Sequence, residues 1–148
     1  MSVELTMLFW ASILTFVQVV VAVLFAIGQF GLPEVAGNRA DLGTLNDMAG
    51  RAKRAHANML ESLGLFAVLV LIVQIAGLSS DLTVLGAQIF VGARLVYAIV
   101  YLVGVPWLRT GVWSISVAGL AIMAWPILTC FKSESIARHH QTALTQGE

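Results

Sequence analysis

The sequence predicts an all-α fold, a four-transmembrane-helix bundle built as a single integral membrane domain over residues 1–148. Three observations carry that reading. Hydrophobic residues make up 59% of the chain and charged residues only 11%, where a soluble domain carries about 25% charged residues. Four apolar stretches approach or exceed the roughly 20 residues a helix needs to cross the hydrocarbon core. The segments between them are rich in Gly, Pro, Asn, Ser and Asp, which favour turns over helix.

The first span covers about 5–29. It has no basic stretch ahead of it, and its apolar run exceeds the roughly 7–15 residues of a signal-peptide core, so it is expected to remain as a helix. "GLPEVAGNRADLGTLNDMAG" then forms a long polar connection. The second span covers about 52–77, with its long apolar run starting at about Met59. "GLSSD" makes a short hairpin into the third span, about 81–104, and "GVPWLRTG" is expected to be the loop into the fourth, about 111–131. Residues 132–148 read as a polar tail.

Charge and composition exclude several classes. Eight basic and eight acidic residues leave no net charge, hence no basic field for nucleic acid. Cys130 stands alone and is read as a packing residue at the end of the fourth span. No His/Cys/carboxylate cluster has metal-ligand spacing, and no histidine lies within the four apolar stretches at membrane depth to ligate haem. A small multidrug transporter needs a carboxylate well inside its first helix, where this chain has only Glu4 at the edge. Arg39, Arg51, Lys53, Arg54 and Arg109 fall on one side of the spans, and Lys132 and Arg138 on the other. Basic residues concentrate in cytoplasmic loops, so loops one and three are expected in the cytoplasm and both termini outside. A bacterial inner membrane is the expected location.

Polar side chains inside the spans are the informative residues. A charge at membrane depth costs about 2.5–3.5 kcal/mol on insertion scales, so it is retained when paired, solvated or useful. Arg54, Asn58 and Glu61 fall at offsets of zero, four and seven, which is one helical stripe. Arg94, Tyr97 and Tyr101 repeat the pattern on the third span. Glu61 and Arg94 lie at similar depth, and an ion pair or shared hydrogen-bond network between them is expected. Arg109 would cover the resulting cavity from the third loop. Two stripes of this kind can act as polar glue between helices, worth about 0.6 kcal/mol per bond, or can line a polar pocket. Six polar residues on two stripes exceed what gluing requires. The arginines suit carboxylates, Asn58 suits a peptide-like amide, and a tyrosine or arginine suits a thiolate or oxyanion. The zone holds no Cys or Ser nucleophile, so a nucleophile would arrive with the substrate. His56 points about 160° from Asn58 at 100° per residue, towards the interface.

"RAHANMLE" (Arg54, Asn58, Glu61), followed by "ARLVYAIVYLVGVPWLR" (Arg94, Tyr97, Tyr101, Pro106, Arg109), resembles the MAPEG family, membrane-associated proteins in eicosanoid and glutathione metabolism. The resemblance runs through all four spans. It implies a homotrimer with glutathione bound between subunits near the cytoplasmic face and a lipophilic substrate entering from the bilayer lipids. It places Arg54, Asn58, Glu61 and Arg94 as glutathione-binding residues, with Tyr97, Tyr101 and Arg109 favouring the thiolate. The implied activity is that of a glutathione-dependent transferase or peroxidase acting on a lipophilic electrophile. The family's enzymes carry an arginine at the cytoplasmic end of the first helix, where this chain has Gly31, with Arg39 eight residues on. The family also includes a member that presents lipid without chemistry, so a non-enzymatic lipid-binding or accessory subunit is the alternative.

Overall fold

A computed structural model describes residues 1–37 and 43–145, with the side chains of residues 106 and 134–145 left out of the description. The described chain is helical throughout: α1 (Val3–Phe30), α2 (Leu32–Ala36), α3 (Asp47–Ile75), α4 (Asp81–Val103) and α5 (Pro106–Thr145). Four of these helices are long and apolar enough to cross a membrane, the fourth being α5 within Trp107–Ser133.

The ends follow from local chemistry. Ser2 caps α1 by accepting from the Leu5 amide, and Asn46 caps α3 by accepting from Ala49. Each cap satisfies an amide that the first helical turn leaves without a partner. The Asn46 cap explains why α3 starts at Asp47, five residues ahead of the expected 52. Ser80 and Thr83 form a reciprocal capping box at the start of α4. That helix stops at Gly104, which sits in the left-handed region at φ 86°, where a residue without Cβ is favoured.

Two expectations change at α5. "GVPWLRTG" is not a loop, because the helix begins at Pro106, a position whose missing N–H would have no intrahelical partner anyway. Arg109 therefore projects from the first turn of a helix. Much of the expected polar tail, from 132 to Thr145, also continues as helix; neither Gly nor Pro interrupts "KSESIARHHQTALT".

α4 is the middle of the bundle. It packs chiefly on α5 on one side and on α1 and α3 on the other, while α1 and α5 make no packing contact among the described residues. Its apolar stretch is accordingly the most buried of the four. The core is a cluster around Met59, Phe66, Val70, Phe90 and Met123, with Phe66 and Phe90 stacked at 4.3 Å between centroids. α4 and α5 touch backbone to backbone at Gly86 and Gly119: a Cβ on Gly86 would lie 2.7 Å from the Gly119 carbonyl oxygen, and one on Gly119 would lie 2.9 Å from the Gly86 oxygen. Close approach through small residues is a usual way to pack helices in lipid. Of Gly111 and Gly119, only Gly119 serves this purpose, since Gly111 faces open space.

At the opposite end of the bundle from Gly104, Glu4 lies in the first turn of α1, at the edge of the span as expected, and is wholly buried there. Its Oε1 accepts from Ser79 Oγ at 2.6 Å and Thr83 Oγ1 at 2.7 Å, tying the start of α1 to the α3–α4 hairpin.

Candidate functional site

α3, α4 and the first turns of α5 converge at the end of the bundle where Gly104 turns the chain. There they enclose a broadly open cavity of about 420 Å³, lined by Arg54, Ala57, Asn58, Glu61, Tyr97, Tyr101, Arg109, Thr110 and Trp113. The 0, 4, 7 spacing on α3 faces the 0, 4 spacing of the two tyrosines on α4, because i, i+3 and i+4 positions share a helix face. A smaller pocket of about 180 Å³ adjoins it, sharing Arg54, Tyr101 and Arg109 and adding Asp47 and Arg51.

Six of the seven residues that the sequence marked line the larger cavity; Arg94 does not. It lies behind that wall at 2% exposure, with Nη1 donating to Asn58 Oδ1 at 2.6 Å. Its guanidinium carbon is 5.4 Å from the Phe90 ring centroid and 5.5 Å from that of Tyr97, within reach of cation–π attraction. Its Nε is buried without a hydrogen-bond partner. The expected Glu61–Arg94 ion pair is not formed. Asn58, one turn earlier on α3, takes the guanidinium, while Glu61 is exposed on the cavity wall. The Glu61 carboxylate lies on the open side of the wall and the Arg94 guanidinium in the α3–α4 seam.

This arrangement polarises the site. With Oδ1 of Asn58 occupied by Arg94, the amide hydrogens of Asn58 remain to donate to a guest. Arg109 stands with its guanidinium carbon 5.0 Å from the Tyr101 ring centroid, and Tyr97 and Tyr101 are tilted against each other at 5.4 Å. Tyr97 and Tyr101 are buried to within a few per cent; their ring bodies pack with Ala55, Ala93 and Val112. The result is a wall of arginine guanidiniums and tyrosine rings at one end of an apolar bundle, with no Cys or Ser lining it among the described residues. Such a donor set receives anions, carboxylates in particular, and holds developing negative charge.

Residues 7–129 match the model of the MAPEG family, most of the chain and every residue lining both cavities. The chain belongs to the MAPEG family. It is an integral membrane protein, and its membership suggests a glutathione- or eicosanoid-related membrane function. No curated protein and no solved structure matches it at a significant level.

Against this MAPEG frame, the residue that the sequence reading missed is Arg51. It was weighed only as a topology charge, yet it lines the smaller pocket and packs on Gly104, where an added Cβ would lie 3.4 Å from its Nη1. Its position three residues before Arg54 was the available signal, since it extends the same stripe by one turn. The departure at the end of the first helix stands: no basic residue occupies the last turn of α1. Arg39, the suggested substitute, lies outside the described residues. Cys130 is partly buried on the far part of α5, away from the site.

Proposed function

We propose that this MAPEG chain is a glutathione-dependent transferase or peroxidase that acts on a lipophilic electrophile. The observation that carries the reading is the cavity at Asn58, which offers cations, a fixed amide donor and two tyrosines but, among the described residues, no cysteine or serine nucleophile. A tripeptide thiol fits each part: two carboxylates, two peptide groups, one ammonium and the missing nucleophile. Arg54 and Arg51 bind carboxylate, Glu61 takes the ammonium, and Asn58 donates to a peptide carbonyl. Arg94 acts through Asn58, fixing its orientation rather than touching the guest. Tyr101 and Arg109 favour the thiolate, as nearby donors and cations do. Glutathione supplies the sulfur nucleophile when bound, and the apolar partner reaches it from the bilayer.

The cavity is shallow in one chain, which favours a homotrimer in which a neighbouring subunit closes it. Arg51, Lys53, Arg54 and Arg109 gather at one end of the bundle, supporting a cytoplasmic site with both termini outside, as in a bacterial inner membrane. The bare end of α1 favours a second reading, a non-enzymatic lipid-binding subunit of the same fold. Conjugation of glutathione to a lipophilic aryl halide in reconstituted vesicles separates the two. The enzyme reading expects turnover that drops at least tenfold in Arg109→Leu. The accessory reading expects no turnover above the uncatalysed rate.

A further inference from the structure

The buried face of α1 carries three polar side chains, Glu4, Thr15 and Gln18. Glu4 accepts from Ser79 and Thr83, and the Thr15 hydroxyl donates to the Ala11 carbonyl at 2.8 Å. Gln18 differs. It is 8% exposed, and neither its Oε1 nor its Nε2 has a hydrogen-bond partner among the described residues. It lies about 21 Å along α1 from Glu4 and about 18 Å from Phe30, at 1.5 Å per residue, near the middle of the span. A primary amide has two N–H donors and two acceptor lone pairs, and hydrocarbon satisfies none of them.

The side chain lines a cavity of about 90 Å³ between α1, α3 and α4. Val17, Val21 and Leu102 form part of the wall, and three alanines, Ala52, Ala55 and Ala98, form the rest. Alanines leave the helix backbone close to the cavity, and a helical carbonyl oxygen keeps a second lone pair beyond its bond within the helix. No charged side chain lines this cavity among the described residues, and it shares no residue with the two pockets at Asn58.

We propose that this cavity is an internal hydration site, in which ordered waters bridge the Gln18 amide to backbone carbonyls of α3 and α4. The volume holds about two or three waters at roughly 30 Å³ each, and cavities with polar partners hold water whereas wholly apolar ones stay dry. Water suits both atoms of the amide, since it donates to Oε1 and accepts from Nε2. An ion would need a charged partner, and an acyl chain would leave the amide unmatched. The waters join α1 to α3 and α4 at mid-membrane, as Glu4 joins α1 to the hairpin at its start. The site is independent of glutathione and of the reading above.

The test is synchrotron X-ray radiolysis of the detergent-purified full chain, followed by mass spectrometry of the oxidised peptides. Waters held beside a side chain generate hydroxyl radicals there, out of reach of a scavenger in the bulk solvent. In wild type, Leu102 and Val21 are expected to be labelled several-fold faster than Leu69 and Val91, which are also partly buried but pack on the core. A bulk scavenger should not remove that label. Gln18→Leu makes the cavity wholly apolar and therefore dry, so the label falls to the level of Leu69 and Val91. Ala98→Leu, which fills the cavity and keeps the amide, has the same effect, and it decides the question if Gln18→Leu does not fold. Three results overturn the proposal: wild-type labelling no higher than at Leu69 and Val91, labelling that the scavenger abolishes, or labelling unchanged in the variant that folds.

Discussion

Arg94 shows how a buried cation can serve a site without entering it. A guanidinium at 2% exposure with no carboxylate partner is costly in an apolar bundle, and its bond to Asn58 at 2.6 Å is its one hydrogen bond among the described residues. Hydrogen bonds to charged groups contribute about 1.5–3 kcal/mol. Asn58→Ala and Arg94→Leu should therefore each weaken glutathione binding by about tenfold or more. The double variant should lose little beyond the larger single loss, and calorimetry on all four proteins gives the coupling. Additive losses would show that the two residues act separately. Glu61→Gln should leave thermal stability within about 0.5 kcal/mol, as exposed substitutions usually do, while weakening binding of the ammonium group. At this scale the stripes were legible, since spacing alone placed Arg54, Asn58 and Glu61 together with Tyr97 and Tyr101. The partner of Arg94 was not legible, because equal depth does not say which residue of a stripe turns into the helix seam.

The helices divide by how tightly they meet. α4 and α5 press backbone to backbone at Gly86 and Gly119, with an added Cβ only 2.7 and 2.9 Å from the opposing carbonyl oxygen. Gly86→Ala or Gly119→Ala should destabilise by about 1–3 kcal/mol, as overpacking does. Gly64→Ala and Gly92→Ala meet nothing within 4 Å and should be neutral or slightly stabilising, by up to about 1 kcal/mol. A thermal-shift series in detergent ranks the four. Glu4→Ala should also lower stability, because Ser79 and Thr83 lose the acceptor that ties α1 to the hairpin. Hydropathy found every span, since lipid demands long apolar runs whatever their packing. It did not find the glycine crossing, which depends on register between two helices, nor the burial of Glu4, which depends on a hairpin folding over the end of α1. The early start of α5 was missed because "GVPWLRTG" was read as a loop, whereas Pro at a first helical position is tolerated.

For the whole molecule, the family and the membrane character follow from the chain alone, while sidedness and assembly rest on the charge bias and the open cavity. In a Cys130→Ala background, Trp107→Cys should react with an impermeant maleimide only from the cytoplasmic side, and Asp81→Cys only from outside. The reverse pattern would invert the topology. The central claim is that the cavity at Asn58 receives glutathione and activates its thiol. The most direct measurement is calorimetric titration of the detergent-purified protein with glutathione, with the ultraviolet thiolate band read on the same sample. Saturable binding accompanied by a thiolate band, both diminished in Arg109→Leu, is the result expected. No binding at millimolar glutathione, in protein shown to be folded and trimeric, would contradict it and leave the lipid-binding reading in its place.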